Sequence, residues 1–283
     1  MLNENKSNGI IWIIRPGALG DTVLSFPLLR KIELQYKNYH LIFFGSNQYR
    51  YILNKFFPGI EFISFDNIDW LPLFNEKFDP SELLYSFPEK IYCILPEQDH
   101  FVNNLKLISE DLFFTSLDEL CGHHISKQMF YMDNFNIEYD LCVDNLISSN
   151  ATSKTVAKNN LLIHPGTGSS KKIIEDSFWL KLIDAMESMN IKIILGENDL
   201  IPSWLKNKEF NRIKDLEELM SELKFADYYF GLDSGVSHLA GILGVKGFAL
   251  FKITNPNYWS PVGNIRSVFQ NDISINEWSK ELL

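Results

Sequence analysis

Short apolar runs alternate with segments of helical spacing along the whole 283-residue chain. The predicted strands are Ile10–Ile14, Leu41–Phe44, Ile60–Phe65, Ile91–Leu95, Leu161–His164, Ile191–Leu195, Tyr228–Phe230 and Gly247–Phe251. The predicted helices begin near Asp21, Asn47 and Leu117 and span Ser177–Met189, Asp215–Phe225 and Ser234–Leu243. Alternation of this kind predicts α/β layers with mostly parallel sheets, because each helix crosses back over a sheet between two parallel strands.

The small, polar segment 148–155 has no periodicity, which is typical of a linker. The strand and helix pattern restarts after it, and the chain is long enough for two domains of ordinary size. We therefore expect two similar α/β domains, residues 1–150 and residues 151–283, with a cleft between them. Residues 66–89 are rich in Pro, Asp and aromatic residues and are interpreted as a long loop over this crevice.

The net charge of −10 is concentrated in the first half of the chain. Residues 1–150 hold 11 Lys and Arg against 20 Asp and Glu, whereas residues 151–283 hold 15 against 16. A nucleic-acid partner would require a basic face, so the acidic first half disfavours one.

No apolar run approaches the roughly 18 to 20 residues that span a bilayer, and residues 1–8 are polar without a secretory pattern. We therefore expect a cytoplasmic protein, at most peripherally attached to the inner face of the inner membrane. The three cysteines, Cys93, Cys121 and Cys142, have no metal-type spacing and are predicted to be reduced, buried thiols.

The glycine-bearing turn 15–21 follows the first predicted strand and precedes the first predicted helix. Open α/β sheets build ligand sites at such turns, and this one ends in the carboxylate of Asp21. By its position alone, Asp21 is better explained as a helix N-cap than as a general base.

Two further strand-to-helix turns in the second half carry groups that bind anions. Glycine, hydroxyl and lysine groups of the first turn are suited to wrap phosphate oxygens, and the candidates are Thr167, Gly168, Ser169, Lys171 and Lys172. The second turn opens a helix whose free amides attract an anion, and its candidates are Asp233, Ser234, Gly235 and His238. Taken singly, the first turn is better explained as a flexible surface turn, and the second is equally well explained as an N-cap with a buried histidine.

The three turns, in this order, resemble glycosyltransferase family 9, the heptosyltransferase-like enzymes. The resemblance covers most of the chain and is strongest over Ile13–Arg30 and Asp215–Pro261. The first segment has the family's Gly-x-x-Gly-Asp turn and a helix with Pro-Leu-Leu-Arg, and the second has Asp-Leu-x-Glu-Leu followed by Asp-Ser-Gly-x-x-His-Leu-Ala.

The resemblance implies a GT-B fold, with two Rossmann-like domains whose parallel sheets face each other across a cleft. It implies an inverting, metal-independent transfer of a sugar from a nucleotide-sugar donor, with ADP-heptose as one candidate. The first domain would hold the acceptor, with Gly17 and Gly20 in the acceptor-side loop and Asp21 as general base. The second domain would hold the donor diphosphate through the two anion-binding turns.

The chain departs from the family pattern beside these residues. Lys171-Lys172 runs into Ile173-Ile174 where the family has Lys/Arg-x-Trp-Pro, so the sequence does not choose between the two lysines for the phosphate role. Glu197 follows a predicted strand where the family often has an acidic ribose ligand, and we assign it that role.

The acidic first half would repel a strongly anionic lipopolysaccharide inner core. We therefore expect a less charged saccharide, glycolipid or protein acceptor, in cell-surface glycan or lipopolysaccharide biosynthesis. Two alternatives remain open at this point: a non-catalytic nucleotide-sugar binding module and a nucleotide-sugar epimerase of the same architecture. Residues 277–283 are interpreted as a last helix.

Overall fold

The computed structural model describes residues 9–95, 99–116, 124–150 and 159–272, together with Ile275 and Trp278. The chain divides into two compact units, Met1–Cys142 and Val143–Leu283. Each unit contains one sheet, and every strand pairing in both sheets is parallel. The predicted α/β class with parallel sheets is therefore confirmed.

The five strands of the first unit are ordered β3-β2-β1-β4-β5 across the sheet. Their bounds are β1 Ile10–Ile14, β2 His40–Gly45, β3 Glu61–Ser64, β4 Lys90–Ile94 and β5 Asp111–Thr115. The chain runs outward from β1 to β3 and then returns to place β4 on the other side of β1. The carboxyl end of β1 is thus the point where the strand order reverses, which is where open sheets form ligand crevices.

Four α-helices of the described residues lie between these strands, a fifth follows β5, and a sixth crosses the boundary between the two units at Cys142 and Val143. Their bounds are α1 Leu19–Leu24, α2 Phe26–Gln35, α3 Arg50–Phe56, α4 Asp99–Ile108, α5 Ile125–Phe130 and α6 Tyr139–Asn150. A break at Ser25 separates α1 from α2, and Pro27 follows it in the first turn of α2, where its missing N–H costs no helical hydrogen bond.

The six strands of the second unit are ordered β11-β10-β9-β6-β7-β8. Their bounds are β6 Asn160–His164, β7 Asn190–Gly196, β8 Asn211–Ile213, β9 Tyr228–Leu232, β10 Lys246–Phe251 and β11 Ile265–Phe269. The helices are α7 Asp176–Ala185, α8 Leu216–Phe225, α9 Gly235–Ile242 and α10 Pro256–Trp259. Asp215 caps α8 as predicted, because its side chain accepts a hydrogen bond from the N–H of Glu218 at 2.8 Å.

The segment interpreted as a loop over the crevice is more regular than predicted. It contains two 3-10 helices, Ile68–Phe74 and Pro80–Glu82. Side chains three residues apart align on a 3-10 helix. Trp70 and Leu73 accordingly form one buried face, and the Trp70 ring lies 5.6 Å from that of Trp12 on β1. This segment therefore covers the sheet with a packed apolar face.

Several other predicted boundaries change. Ser148 to Asn150, predicted to begin a linker, are the last residues of α6, whereas 151–155 lie outside the described residues. Helix α7 ends at Ala185, before the predicted Met189, because a turn closed by the Met189 N–H and the Met186 carbonyl leads into β7. The start predicted near Leu117 and nearly all of 277–283 also lie outside the described residues.

Cys93 and Cys142 are free and buried, as predicted, and burial raises the pKa of the Cys93 thiol to about 12. Cys121 lies outside the described residues. Within the described part of the chain, no helix combines the length and the apolar character needed to cross a bilayer.

A buried ion pair fixes the segment after α5 to the first unit. Lys31 of α2 is paired with Asp133, and both side chains are 1% exposed. The Lys31 ammonium also donates to the Phe130 carbonyl at 2.6 Å, and the Tyr92 hydroxyl donates to Asp133 at 2.8 Å. The charges are thus fully surrounded by partners, which buried charges require.

We predict that Lys31→Met lowers the free energy of unfolding by about 3–5 kcal/mol, because it leaves the Asp133 carboxylate buried without its cation. Lys37→Met, at an exposed position of the same unit, is the matched control and should change stability by less than about 0.5 kcal/mol. Urea unfolding of both variants measures the difference. Equal effects would contradict a stabilising role for the buried pair.

Candidate functional site

The turn after β1 fixes the carboxylate of Asp21 through both oxygens. Oδ1 accepts a hydrogen bond from Arg15 Nη2 at 2.5 Å, and Oδ2 accepts one from the backbone N–H of Ala18 at 2.9 Å. Ala18, not Asp21, is the N-cap residue, and Asp21 stands at the third position of α1. The carboxylate therefore satisfies an N–H at the helix start from inside the first turn.

Arg15 supplies a buried positive charge beside this carboxylate. Its side chain is 3% exposed, against 26% for Asp21. Burial lowers the pKa of Arg15, and the charge and hydrogen bond of Asp21 oppose that change. Asp21 is thus the partly exposed end of an ion pair whose cation is enclosed.

The two predicted glycines of this loop have different positions. Gly17 has φ +153°, and a Cβ atom there would lie 2.8 Å from the Asp21 Cβ, so a side chain would displace the carboxylate. Gly20 lies inside α1 and is partly exposed.

Tyr49 also lies near Asp21, and no local sequence pattern predicts it there. Burial raises the pKa of the Tyr49 hydroxyl, a hydrogen bond with the Leu19 backbone opposes this, and the charge of Asp21 raises the pKa further. Tyr49 follows β2, the neighbour of β1 in the sheet. Only the parallel pairing of these two strands places it here.

In the second unit, one carboxylate joins the two turns that the sequence predicts to bind anions. Lys172 Nζ lies 2.6 Å from Asp233 Oδ2, and the hydroxyl of Thr254 donates to the same oxygen. The Thr167 hydroxyl donates to the backbone carbonyl of Asp233 at 3.3 Å. Lys171 is exposed, so the geometry distinguishes the two lysines that the sequence could not.

The remaining candidates of these turns differ in exposure. Gly168 is exposed, Ser169 is half-buried, and no atom lies within 4 Å of the position of a Gly168 Cβ. Ser234 is the extended N-cap of α9, which begins at Gly235. His238, predicted to face the ligand end of α9, is 4% exposed. The first N–H groups of α9 therefore follow directly from Asp233, next to the Lys172 ammonium.

A second charged cluster lies where β6 and β7 end. Asp199 Oδ2 accepts hydrogen bonds from the Gly196 N–H at 2.7 Å and from His164 Nε2 at 3.1 Å. Gly166 makes room for it, because a Cβ atom there would clash with the Asp199 carboxylate. Neither His164 nor Asp199 is among the residues predicted from the sequence, although Asp199 lies in the same turn, 196–199, as the predicted Glu197.

Glu197 itself is exposed, but hydrogen bonds from Arg212 and to Asp199 fix the backbone of its turn. Arg212 Nη1 donates to the carbonyl oxygens of Gly196 at 2.7 Å and of Glu197 at 2.9 Å. The turn that carries Glu197 is thus held from both sides, by Arg212 and by Asp199. Among the residues that the structure describes, no group of three or more His, Cys, Asp and Glu side chains is arranged to hold a metal ion.

Comparisons with known proteins agree with this architecture. A family model described as glycosyltransferase family 9 (heptosyltransferase) matches residues 125–281, more than half of the chain. No curated protein sequence matches this chain. The fold is similar to that of E. coli heptosyltransferase WaaC with ADP, with a TM-score of 0.68, 13% identity, and coverage of 97% of this chain and 100% of that chain.

Two further solved structures are similar. E. coli ADP-heptose lps heptosyltransferase II gives a TM-score of 0.64 at 12% identity, covering 96% of this chain and 97% of that chain. The bacterial iron-containing dodecameric glycosyltransferase TibC from enterotoxigenic E. coli H10407 gives a TM-score of 0.59 at 16% identity. The match covers 97% of this chain and 67% of that chain. These similarities show the fold alone, and they confirm the predicted GT-B class, with two parallel-sheet α/β domains.

We predict that Asp199 makes stability depend on pH below the ordinary Asp pKa of 3.8. Burial would raise the pKa of Asp199, but the hydrogen bond and charge of His164, the Gly196 N–H and the charge of Arg212 lower it overall. A carboxyl group with a lowered folded pKa stabilises the fold above its unfolded pKa, and this contribution is lost as pH falls through the folded value.

Unfolding midpoints measured from pH 7 to pH 2 test this, because the folded pKa of Asp199 lies below 3.8. Asp199→Asn should be less stable than the unchanged protein at pH 7, and the two should converge at the acidic end. Asp184→Asn, at an exposed position of α7, should run parallel to the unchanged protein throughout. A constant difference between Asp199→Asn and the unchanged protein would show that the charge of Asp199 does not stabilise the fold.

Proposed function

The chain belongs to glycosyltransferase family 9, and we propose that it transfers a sugar from a nucleotide-diphosphate donor to a saccharide hydroxyl. Membership makes the chain a glycosyltransferase of the heptosyltransferase-like group. The proposal adds that transfer proceeds with inversion, needs no metal ion, and uses the second unit for the donor and the first for the acceptor.

The observation that carries the donor assignment is the pairing of Lys172 with Asp233 at the start of α9. A departing diphosphate gathers negative charge, and a lysine together with helix N–H groups stabilises that charge without a metal. A carboxylate does the opposite. We therefore assign the phosphate contacts to Lys172, to the hydroxyls of Thr167 and Ser234, and to the Gly235 N–H, while Asp233 positions Lys172.

The other predicted donor residues are assigned from their exposure. Gly168 and Ser169 are assigned to the solvent-facing side of the turn that holds the phosphates. Exposed Lys171 adds positive charge without contacting the phosphates. His238 is buried, and we assign it a structural role within α9. Exposed Glu197, on its fixed turn, is the proposed ligand of the ribose hydroxyls.

The nucleotide of the donor is proposed from the relatives. WaaC is described with ADP and, in a second structure, with ADP-2-deoxy-2-fluoro heptose. An ADP-linked heptose is therefore the first donor to test. The acidic balance of residues 1–150 favours an acceptor of low negative charge, such as a saccharide, glycolipid or protein.

Asp21 is the proposed general base. As the acceptor oxygen bonds to the anomeric carbon, its proton passes to the Asp21 carboxylate, and the bond to the diphosphate breaks with its electron pair. Each carboxylate oxygen of Asp21 has one hydrogen-bond partner from the protein and retains a further lone pair for this proton. One displacement of this kind inverts the anomeric configuration.

We predict that Lys172→Ala weakens ADP binding by about 10-fold or more, because a charge-assisted hydrogen bond to phosphate contributes about 1.5–3 kcal/mol. Lys171→Ala has the same change in net charge and is the matched control, with an expected loss of less than about 3-fold. Titration calorimetry with ADP measures both. The reverse order of effects would move the phosphate site to Lys171.

We predict that Asp21→Asn lowers the turnover number for sugar transfer on the order of 10²–10⁴-fold while ADP affinity stays within about 2-fold. Release of ADP from ADP-heptose is followed with a panel of saccharide acceptors. Asp66→Asn, at an exposed site of the same unit, should remain fully active. Full activity of Asp21→Asn would exclude the base role, and tight ADP binding without turnover in the unchanged protein would favour the binding module.

A further inference from the structure

The guanidinium of Arg15 is enclosed by protein but has few partners. Its side chain is 3% exposed, its Nη2 contacts Asp21, and its Nη1 donates to the Pro16 carbonyl at 3.1 Å. In the part of the chain that the structure describes, the Nε atom is buried without a hydrogen-bond partner, and Asp21 is the one carboxylate within ion-pair distance. The enclosed cation therefore relies on this single carboxylate.

The same contact restricts the carboxylate. With Oδ1 on Arg15 and Oδ2 on the Ala18 N–H, rotation of the Asp21 side chain would break one of two hydrogen bonds. Arg15 is itself fixed, because it follows β1 directly and its backbone N–H donates to the Phe44 carbonyl of β2 at 2.9 Å. The orientation of Asp21 is thus set by the sheet, through Arg15, as well as by its own helix.

We propose that Arg15 is a positioning residue that holds the Asp21 carboxylate in the orientation that receives the acceptor proton. The inference rests on the proposed function, because it requires Asp21 to be the base. Arg15 exchanges no proton, since a guanidinium stays charged and only donates hydrogen bonds. Its contribution is geometric, and a displacement of about 1 Å at a reacting group costs on the order of 10²-fold in rate.

The pairing also predicts how the two residues depend on each other. Removing Asp21 leaves a buried cation without a counter-charge, which destabilises the fold. Removing both charged groups eliminates this cost. A purely structural arginine would also be coupled to Asp21 in stability, but its rate loss would be independent of Asp21.

The test is a double-mutant cycle of Arg15→Met, Asp21→Asn and the double variant, with Arg15→Lys as the conservative change. Each protein is measured for thermal unfolding, for ADP affinity by calorimetry, and for the turnover number with ADP-heptose and a working acceptor. Arg15→Met should lose on the order of 10²-fold in turnover with ADP affinity unchanged. Arg15→Lys should recover part of the loss, because it keeps the charge without the planar fork.

In the Asp21→Asn background, Arg15→Met should cause no further loss of turnover and should raise the unfolding temperature. Additive rate losses, normal turnover in Arg15→Met, or a double variant no more stable than Asp21→Asn would each overturn the inference. Full activity of Asp21→Asn would overturn the proposed base together with it. A normal rate in Arg15→Met beside an inactive Asp21→Asn would overturn the inference alone. Where Arg15→Met does not fold, Arg15→Lys and the double variant give the same comparison.

Discussion

Parallel pairing throughout both sheets brings the carboxyl ends of all strands to one edge of each sheet. In the first unit this edge carries the turn after β1 and, from the neighbouring strand, Tyr49. In the second unit it brings the turns after β6, β7 and β9 together, although they are far apart in sequence. The candidate site depends on this constraint, because it places the ends of β6 and β9 side by side and so brings Lys172 and Asp233 into contact.

The charges gathered at these edges are neutralised in pairs. Arg15 with Asp21, Lys172 with Asp233 and His164 with Asp199 each join a cationic or hydrogen-bonding side chain to a carboxylate. Burying a lone charge is costly, so each pair stabilises its turn in one conformation. Under the proposed function, the first two pairs also leave one group partly exposed toward its substrate: the carboxylate in the first unit and the ammonium in the second.

The sequence predicted most of the strands and the three turns, because apolar runs and turn glycines are local signals. It did not predict that Lys172, rather than Lys171, pairs with Asp233, because Asp233 lies far along the chain. Asp199 was missed for a similar reason: its role depends on the space beside Gly166, in another turn. The pair Lys31 and Asp133 likewise has no local signature. Residues 66–89 have a composition typical of a loop, and their 3-10 helices follow a three-residue period that matches neither the strand nor the α-helix pattern.

The proposed function requires that the second unit bind a nucleotide diphosphate between Lys172 and the start of α9. A crystal structure of the protein with ADP would show this contact. We expect the β-phosphate within hydrogen-bond distance of Lys172 Nζ and of the Gly235 N–H, with Asp233 still paired with Lys172. Phosphates bound to Lys171 alone, or at another turn of the sheet, would contradict it.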